Sequence, residues 1–327
     1  VEAFERMKAV PGEDGTLKPG YEAAPLRTVD PIERMKENRM EPITYTGDKG
    51  YKLGDVLDKK VTMEEFVAQL SDEDLICIFR GEGMCSPKVT PGTAAAFGGL
   101  TPELQEFGIP AACCTDGPSG LRFDCGTRAF SMPNGTLLGC TFDLPLVEDL
   151  YEMAGREMRQ NRVDALLGPG MNIHRNPLNG RNFEYMSECP ILNYLAGAVE
   201  VEAMEKTGSH AGPKHFVGND QEFYREGLVC FFNEQAFREG NLKAFEGSIR
   251  VANAGGLMQS FERLGLKWYS ASYALNTTIL RNEWGWNGAI DTDAAPCFDE
   301  YVDGGYKNHA AEVLDAGTQE WCLDGVG

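Results

Sequence analysis

The chain has 327 residues, of which 42% are hydrophobic and 24% charged, and its formal net charge is -20. This is the composition of an ordinary globular protein with one large domain or two ordinary ones. The negative charge disfavours nucleic acid and anionic membrane surfaces as partners, and no apolar stretch is long enough to span a membrane.

The first 58 residues are rich in Pro, Lys and Glu and are weakly periodic. They are typical of a linker or an arm on a larger body, and we expect the folded domain to cover residues 59–327. The chain begins with Val1 rather than Met. A piece of a longer protein is consistent with such a start.

A regular alternation of helices and strands begins near residue 60. Residues 62–65, Thr-Met-Glu-Glu, form a capping box that predicts a helix start, and Thr101 before Pro102 predicts another. Asp143 caps a long predicted helix with apolar residues at helical spacing. The predicted strands are 74–79, 109–115, 163–167, 211–217, 256–261, 287–292 and 318–323. The other predicted helices are near 191–206, 234–250, 272–283 and 307–316.

About seven strands, each usually preceded by a helix over about 260 residues, predict a parallel α/β fold. Their number and span favour a closed (β/α)8-type, TIM-like barrel, incomplete or irregular, with an N-terminal arm. An open sheet is the alternative. No Gly-x-Gly-x-x-Gly turn or Walker loop follows the first predicted strand, which disfavours a nucleotide-binding open sheet.

Residues 168–185 directly follow the apolar run 163–167 and predict a polar, glycine-broken loop at the end of a buried strand. So many hydrogen-bonding groups at one strand end favour a site for a polyhydroxyl or anionic ligand. The alternative is a well-capped surface loop. The polar side chains are His174, Arg175, Arg181, Asn172, Asn176, Asn179, Asn182 and Glu184.

Other predicted strands also end in polar side chains. In a parallel barrel all the strand C-termini open onto one face, so residues about 180 positions apart can converge there. Each residue alone is explained equally well by a turn or a salt bridge, and the repetition at strand ends carries the argument. The residues are Asp116, Arg122, Arg181, Lys214, His215, Arg225 and Asp293.

The ten cysteines do not indicate a disulfide framework, because a chain of this size does not need one. They lie mostly in apolar runs, and no Cys-x-x-Cys pair occurs. The four histidines show no His-x-x-x-His spacing. We therefore expect buried reduced thiols, a cytoplasmic location, no metal and no cofactor.

Several motifs in order resemble glycoside hydrolase family 3, the β-glucosidase family, from about Thr62 to Gly327. They are Asp-Gly-Pro-Ser-Gly-Leu-Arg at 116–122, Gly-Pro-Gly-Met-Asn-Ile-His-Arg-Asn-Pro at 168–177, Gly-Arg-Asn-Phe-Glu-Tyr at 180–185, Lys-His-Phe at 214–216, Leu-Arg-Asn-Glu-Trp-Gly-Trp-Asn-Gly at 280–288 and Thr-Asp at 292–293. Residues 43–50 and 80–87 resemble the branch of the family in which the barrel follows the second domain.

The resemblance implies a retaining, exo-acting enzyme that cleaves terminal β-D-glucosyl residues from oligosaccharides or glucosides. Asp293 would be the nucleophile, which nearby cations keep ionised. Arg225 would position Asp293 or the sugar, and Phe261 would lie in the pocket where the family has Tyr. The residues implied to hold the sugar hydroxyls are Asp116, Arg122, Arg181, Lys214 and His215.

The resemblance also implies partners. Retaining hydrolysis needs two carboxyl groups about 5–5.5 Å apart, and only one is identifiable in the sequence. A second α/β sandwich domain or chain would supply the acid/base, and a homo-oligomer is a further possible assembly. Residues 214–222 lack the second histidine of the N-acetylhexosaminidase branch.

The chain departs from the family pattern inside the expected pocket. Ala294 stands where the family has Trp, Cys189 where it has Asp, and an expected Asn-Gly pair is missing around residues 262–265. An alternative function is therefore a barrel that binds sugar or builds an assembly and has lost catalysis. For Asp293 itself, the alternative is a buried carboxylate that satisfies a strand-end amide.

Overall fold

The computed structural model describes residues 5–23, 33, 36–37, 41–265, 267–294 and 310–319. The chain divides into two compact units, Val1–Glu41 and Pro42–Gly327. The first unit holds an antiparallel hairpin of β1 (Glu5–Pro11) and β2 (Leu17–Ala23). No alternation of apolar and polar residues indicates this hairpin, because β2 exposes both of its faces almost throughout. The division between an arm, 1–58, and a barrel domain, 59–327, stays a prediction.

The second unit alternates helices and strands, which confirms the α/β class. Its elements are α1 (Leu53–Leu57), α2 (Met63–Val67), α3 (Asp72–Arg80), β3 (Ala95–Gly98), α4 (Pro102–Glu106), β4 (Ala111–Asp116), α5 (Gly135–Thr141), α6 (Leu144–Gln160), β5 (Ala165–Leu167), α7 (Pro190–Glu205), β6 (His210–Ala211), β7 (Val229–Cys230), α8 (Glu234–Ala236, continued by Phe237–Asn241, Leu242–Glu246 and Gly247–Val251), β8 (Gly256–Met258), β9 (Arg263–Leu264), β10 (Lys267–Trp268), α9 (Ala274–Glu283), β11 (Ala289–Asp291) and α10 (Ala310–Ala316).

The helix starts predicted from capping residues are confirmed. The Thr62 hydroxyl accepts a hydrogen bond from the backbone N–H of Glu65 at 3.1 Å, and the Glu65 carboxylate accepts one from the Thr62 backbone at 2.8 Å. Thr101 and Asp143 accept from backbone N–H groups in the first turns of α4 and α6, at 3.3 and 3.1 Å. These side chains satisfy donors that a helix N-terminus otherwise leaves unpaired.

The predicted strand at residues 74–79 is wrong, because this segment lies in α3. Ser71 and Asp74 form a capping box, with N–H to oxygen distances of 3.2 and 2.9 Å. Acidic residues in the first turn also favour the helix through its dipole. The first strand of the second unit is instead β3, which pairs antiparallel to β4. Its sequence, Ala-Ala-Phe-Gly, carries little strand signal.

The strands are shorter than predicted and form several small sheets. β4, β5 and β6 pair in parallel, as do β8 with β11 and β7 with β9, and β10 pairs antiparallel to β9. Within the described residues these sheets do not close into one ring. The predicted strand 211–217 is strand only at β6 and continues as single bridges at Lys214 and Phe216. Of the predicted strand 318–323, only 318–319 are described, and they are not in a strand.

Packing of α6, α7 and α8 on the parallel strands buries the main core. Because β4 and β5 are parallel, they end at the same edge of their sheet, where the polar loops begin.

No helix of the described residues has the length and apolarity needed to cross a membrane. The expectation of mostly buried thiols holds only in part. Among the described residues Cys113, Cys114 and Cys230 are buried, but Cys85, Cys125, Cys140 and Cys189 are exposed.

Candidate active site

The polar strand ends surround one pocket with a volume of about 360 Å³. Its walls also include apolar and small residues that the sequence did not single out, namely Met84, Gly92, Ala94, Leu167 and Met258. Seven of the eight predicted site residues line this pocket, and they are Asp116, Arg122, Arg181, Lys214, His215, Arg225 and Asp293.

Asp116, at the end of β4, and the buried Lys214, which follows β6, form an ion pair across the end of the intervening strand β5. The Lys214 ammonium donates to Oδ1 of Asp116, which also accepts the Gly117 N–H at 2.8 Å. Burial alone would raise the pKa of Asp116, but the charge and hydrogen bond of Lys214 bring it below the ordinary value. Arg122 lies 3.7 Å from the other oxygen of Asp116. The carboxylate is therefore ionised at neutral pH and can accept hydrogen bonds.

The turn after Asp116 requires glycine. Gly117 has φ of +127°, and a Cβ there would lie 1.9 Å from the carbonyl oxygen of Gly120. This tight turn is closed by the Arg122 N–H, which donates to the Asp116 carbonyl at 2.8 Å. The Asp-Gly-Pro-Ser-Gly-Leu-Arg motif is thus a compact turn that returns Arg122 to the same pocket.

The loop 168–185 mainly braces itself and its neighbours. Asn172 clamps the backbone of His215, accepting its N–H at 2.7 Å and donating to its carbonyl at 2.9 Å. His174 Nε2 lies 3.0 Å from the Tyr185 carbonyl oxygen. Arg175 does not line the pocket and pairs with Asp220. Most polar groups of the loop thus stabilise the loop itself, as the surface-loop interpretation predicts. Arg181 lines the pocket, as the ligand-site interpretation predicts.

Arg181 is the side chain of this loop that lines the pocket. Its guanidinium lies 2.6 Å from the carboxylate of Glu184 and 3.5 Å from that of Glu222. Burial lowers the pKa of Arg181, but the surrounding Tyr185, Glu184, Asp293 and Glu222 raise it above the ordinary value. The arginine is therefore a permanent cation held in a fixed orientation.

A hydrogen-bond chain fixes the tautomer of His215. Nδ2 of Asn219 can only donate, and it lies 2.5 Å from the Tyr185 hydroxyl and 3.1 Å from the Glu222 carboxylate. The hydroxyl proton of Tyr185 is therefore directed at Nδ1 of His215, 3.0 Å away. The ring proton then lies on Nε2, which faces Oδ2 of Asp293 at 3.7 Å.

His215 is neutral at physiological pH. Its pKa is well below the ordinary value, first because the ring is fully buried and then because cationic side chains surround it. The cations are Arg181, Lys214 and Arg225. A neutral imidazole with a fixed Nε2–H can donate one directed hydrogen bond into the pocket.

Asp293 follows β11, and its Oδ1 accepts the N–H of Ala294 at 2.8 Å. Burial raises the pKa of Asp293 to about 6, although Arg181, Arg225 and Lys214 act in the opposite direction. The carboxylate is therefore ionised above about pH 6, close to neutral pH. The Asp293 carboxylate is thus a desolvated anion surrounded by fixed cations, an environment in which a carboxylate can act as a nucleophile.

Both other carboxylates that line the pocket are held in ion pairs. Asp116 pairs with Lys214, and Asp124 lies 2.9 Å from Nε of Arg122. Within the described part of the chain, the pocket thus presents Asp293 without an evident partner acid.

Phe261 is the one predicted site residue that does not line the pocket. It is 3% exposed, and the guanidinium carbon of Arg225 lies 4.3 Å from the centre of its ring. Arg225 also lies 3.1 Å from the carboxylate of Glu222. Phe261 thus stabilises the position of Arg225 as its cation–π partner.

Glu222 and Tyr185 hold pocket residues in place, although neither was among the predicted site residues. Glu222 contacts Arg181, Arg225 and Asn219, and so connects both arginines of the pocket wall. Its position three residues before Arg225 is the one local signal for this role. The part of Tyr185 depends on tertiary packing against His215, which no sequence spacing reveals.

The sequence model of the Glycosyl hydrolase family 3 N terminal domain matches residues 47–320. A "Beta-glucosidase" of Ruminococcus albus is 48% identical over 307 residues, which are 93% of this chain and 32% of that protein.

Solved structures agree with this match. The crystal structure of a β-glucosidase from Paenibacillus barengoltzii is 46% identical with a TM-score of 0.90, covering 98% of this chain and 35% of that one. β-Glucosidase 3B from Thermotoga neapolitana, in complex with glucose, is 32% identical with a TM-score of 0.70, covering 79% and 36%. The chain thus spans about a third of the length of these relatives.

Proposed function

The chain belongs to glycosyl hydrolase family 3, and from this premise we propose that it is the barrel part of a retaining, exo-acting β-glucosidase. Its substrates would be β-linked oligosaccharides or glucosides with a terminal β-D-glucosyl residue. The fold we propose is an irregular (β/α)8-type barrel. The observation that carries the proposal is the buried Asp293 carboxylate, which faces the Nε2 of His215 among three cationic side chains.

In this mechanism Asp293 attacks the anomeric carbon as the glycosidic bond breaks, and the leaving oxygen takes a proton from the acid/base. Water, deprotonated by the same group, then hydrolyses the glycosyl-enzyme intermediate and frees Asp293. The carboxylate must be ionised, and a pKa of about 6 leaves it so at neutral pH. Arg181 and Arg225 oppose the effect of burial and hold the charge in place. Desolvation among fixed charges lets the protein, rather than water, stabilise the developing charge.

The remaining polar groups would hold the sugar hydroxyls. Asp116 accepts hydrogen bonds, while Lys214, Arg122, Arg181 and the Nε2–H of His215 donate them. The cavity of about 360 Å³ lies at the small end of ligand pockets, which supports a single sugar ring and exo action.

The acid/base would come from a second α/β sandwich domain or from another chain. Within the described residues, both other pocket carboxylates are paired with cations. The relatives are about three times longer than this chain, which leaves room for such a domain. The segments 43–50 and 80–87 support the branch in which that domain precedes the barrel.

A second candidate function is a sugar-binding barrel without catalysis. It is favoured by Ala294, which stands beside Asp293 and lines the pocket with a methyl group where the family has Trp. Binding of glucose with no turnover would support this alternative.

Two substrates with different leaving groups test the proposal. A dinitrophenyl β-glucoside needs no protonation of its leaving group, whereas an alkyl β-glucoside does. We expect this chain alone to cleave the first and not the second. Asp293→Asn should abolish the cleavage, and Asp149→Asn, at an exposed aspartate of α6 outside the pocket, should retain it. A chain that binds glucose but releases no dinitrophenol would contradict the proposal.

A further inference from the structure

A second cluster of chemically reactive groups lies outside the sugar pocket. It joins Asp220, Cys230 of β7 and Glu262 between β8 and β9, and all three residues are buried. Their ligand atoms lie within 4.8 Å of one another. The Cys230 Sγ is 2.9 Å from Oε2 of Glu262 and 3.4 Å from Oδ2 of Asp220. We propose that these three side chains bind one divalent transition-metal ion of the zinc type.

The ligand set fits such an ion. Zinc binds sulfur at about 2.3 Å and carboxylate oxygen at about 2.0–2.2 Å, which in a tetrahedron separates ligands by roughly 3.3–3.6 Å. The Cys230–Asp220 separation already matches, and the Cys230–Glu262 separation must open by roughly half an ångström. One soft thiolate with two hard oxygens favours a borderline ion over Mg²⁺ or Ca²⁺.

The surroundings orient the ligands and balance the charge. Oε1 of Glu262 accepts the N–H groups of Asp220 and Gln221, at 2.8 and 3.3 Å, which leaves Oε2 directed at Cys230. Arg175 pairs with Asp220. A thiolate, two carboxylates, a divalent ion and this arginine sum to zero charge, so the bound site is neutral as burial requires.

Tyr269 supplies an independent sign of a missing ligand. It is fully buried, and its hydroxyl has no hydrogen-bond partner among the described residues. The hydroxyl oxygen lies against Gly218, two residues before Asp220, where an added Cβ would be 2.4 Å from it. Buried hydroxyls normally have a partner. Burial raises the pKa of Tyr269, and the nearby side chains of Cys230, Glu262 and Asp220 raise it further, so the hydroxyl lies beside the cluster. A water on the open fourth position of the ion would give Tyr269 a partner.

An ion can reach this site. A separate cavity of about 410 Å³ includes Asp220 and Cys230 in its lining, together with Arg175 and Phe231. No metal was expected from the sequence, because that expectation considered only Cys and His ligands a few positions apart. The three ligands here come from segments up to 42 positions apart.

The ion would tie three segments together behind the sugar pocket. The Asp220 ligand is flanked by Asn219 and Glu222, which hold Tyr185 and Arg181. Metal binding would therefore stiffen one wall of that pocket. This role does not depend on the proposed catalytic function, because the ion contacts none of the pocket residues.

The test is metal uptake by the full chain after treatment with a chelator and dialysis. Zn²⁺ titration by calorimetry should show one ion per chain, and Co²⁺ should give thiolate-to-cobalt charge-transfer absorption. Cys230→Ser should remove this absorption and weaken Zn²⁺ binding at least tenfold, and Glu262→Gln should weaken it similarly. Cys140→Ser, at an exposed free cysteine, is the matched control and should change neither.

Wild-type protein that is folded by circular dichroism and takes up no stoichiometric Zn²⁺ would overturn the proposal, even if the variants fail to fold. Equal Zn²⁺ binding by Cys230→Ser and wild type would also overturn it. A rise in the thermal midpoint of the wild type with Zn²⁺, absent in folded Cys230→Ser, would support it.

Discussion

Replacing Lys214 by Met removes one charge from a buried pair and keeps most of the side-chain volume. The Lys214 side chain is 3% exposed and that of Asp116 28%. Breaking a buried pair costs about 3–5 kcal/mol, because the remaining charge stays desolvated. Arg122, 3.7 Å from Asp116, and the partial exposure of Asp116 compensate in part. We therefore expect a loss of about 2–3 kcal/mol in the free energy of unfolding at pH 7.

The loss should depend on pH. In the wild type the pKa of Asp116 is depressed in the folded state, so its stabilisation is present above the unfolded pKa and is lost as pH falls through the folded value. Without Lys214, burial dominates and the pKa of Asp116 rises. Asp116 in the variant then takes up a proton at a higher pH, and the difference from wild type shrinks as pH falls from 7 toward 4.

Urea unfolding at pH 7 and at pH 4.5 measures both effects. The control is Lys206→Met, since Lys206 is an exposed lysine paired with Glu148 and Glu202, and it should change little. The double variant Lys214→Met with Asp116→Asn should recover much of the loss. A loss in Lys214→Met that is as small as in the control, or equal at both pH values, would show that Lys214 does not stabilise the protein by neutralising Asp116.

Three further predictions concern the nucleophile, the histidine tautomer and the corrected helix. Cleavage of the dinitrophenyl glucoside should rise with pH through about 6, as Asp293 ionises, and Arg225→Gln should move this limb to higher pH; an unchanged limb would count against the cation effect. Tyr185→Phe should leave Nδ1 of His215 without its hydrogen-bond partner, so the ring proton is no longer held on Nε2. Because an unmade buried hydrogen bond costs about 1–3 kcal/mol, glucose binding measured by calorimetry should weaken by roughly tenfold or more. Unaltered affinity would contradict the tautomer argument. Ser71→Ala should lower the free energy of unfolding by about 1 kcal/mol in urea unfolding, and no change would speak against the cap of α3.

The convergence of the site could be predicted from sequence because its signals are local. Asp116, Lys214, His215 and Asp293 each lie near the C-terminal end of a predicted strand, and parallel strands bring these ends together. Capping residues located α2, α4 and α6 for the same reason, since a cap and its helix are a few residues apart.

Other features depend on information that a sequence window does not hold. The apolar run 75–79 fits a strand or a buried helix equally well, and only the cap at Ser71 decides for the helix. Strands of two residues, such as β7 and β9, are held by their neighbours and have no periodicity. The contact of Tyr185 with His215 and the cluster at Cys230 join segments that are far apart in the chain.

Trapping of the covalent intermediate decides whether Asp293 is the nucleophile. The chain is incubated with a dinitrophenyl 2-deoxy-2-fluoro-β-glucoside, digested and analysed by mass spectrometry. We expect one fluoroglucosyl group on the peptide that holds Asp293, and none in Asp293→Asn. Label on another residue, or no label in protein that binds glucose, would contradict this assignment.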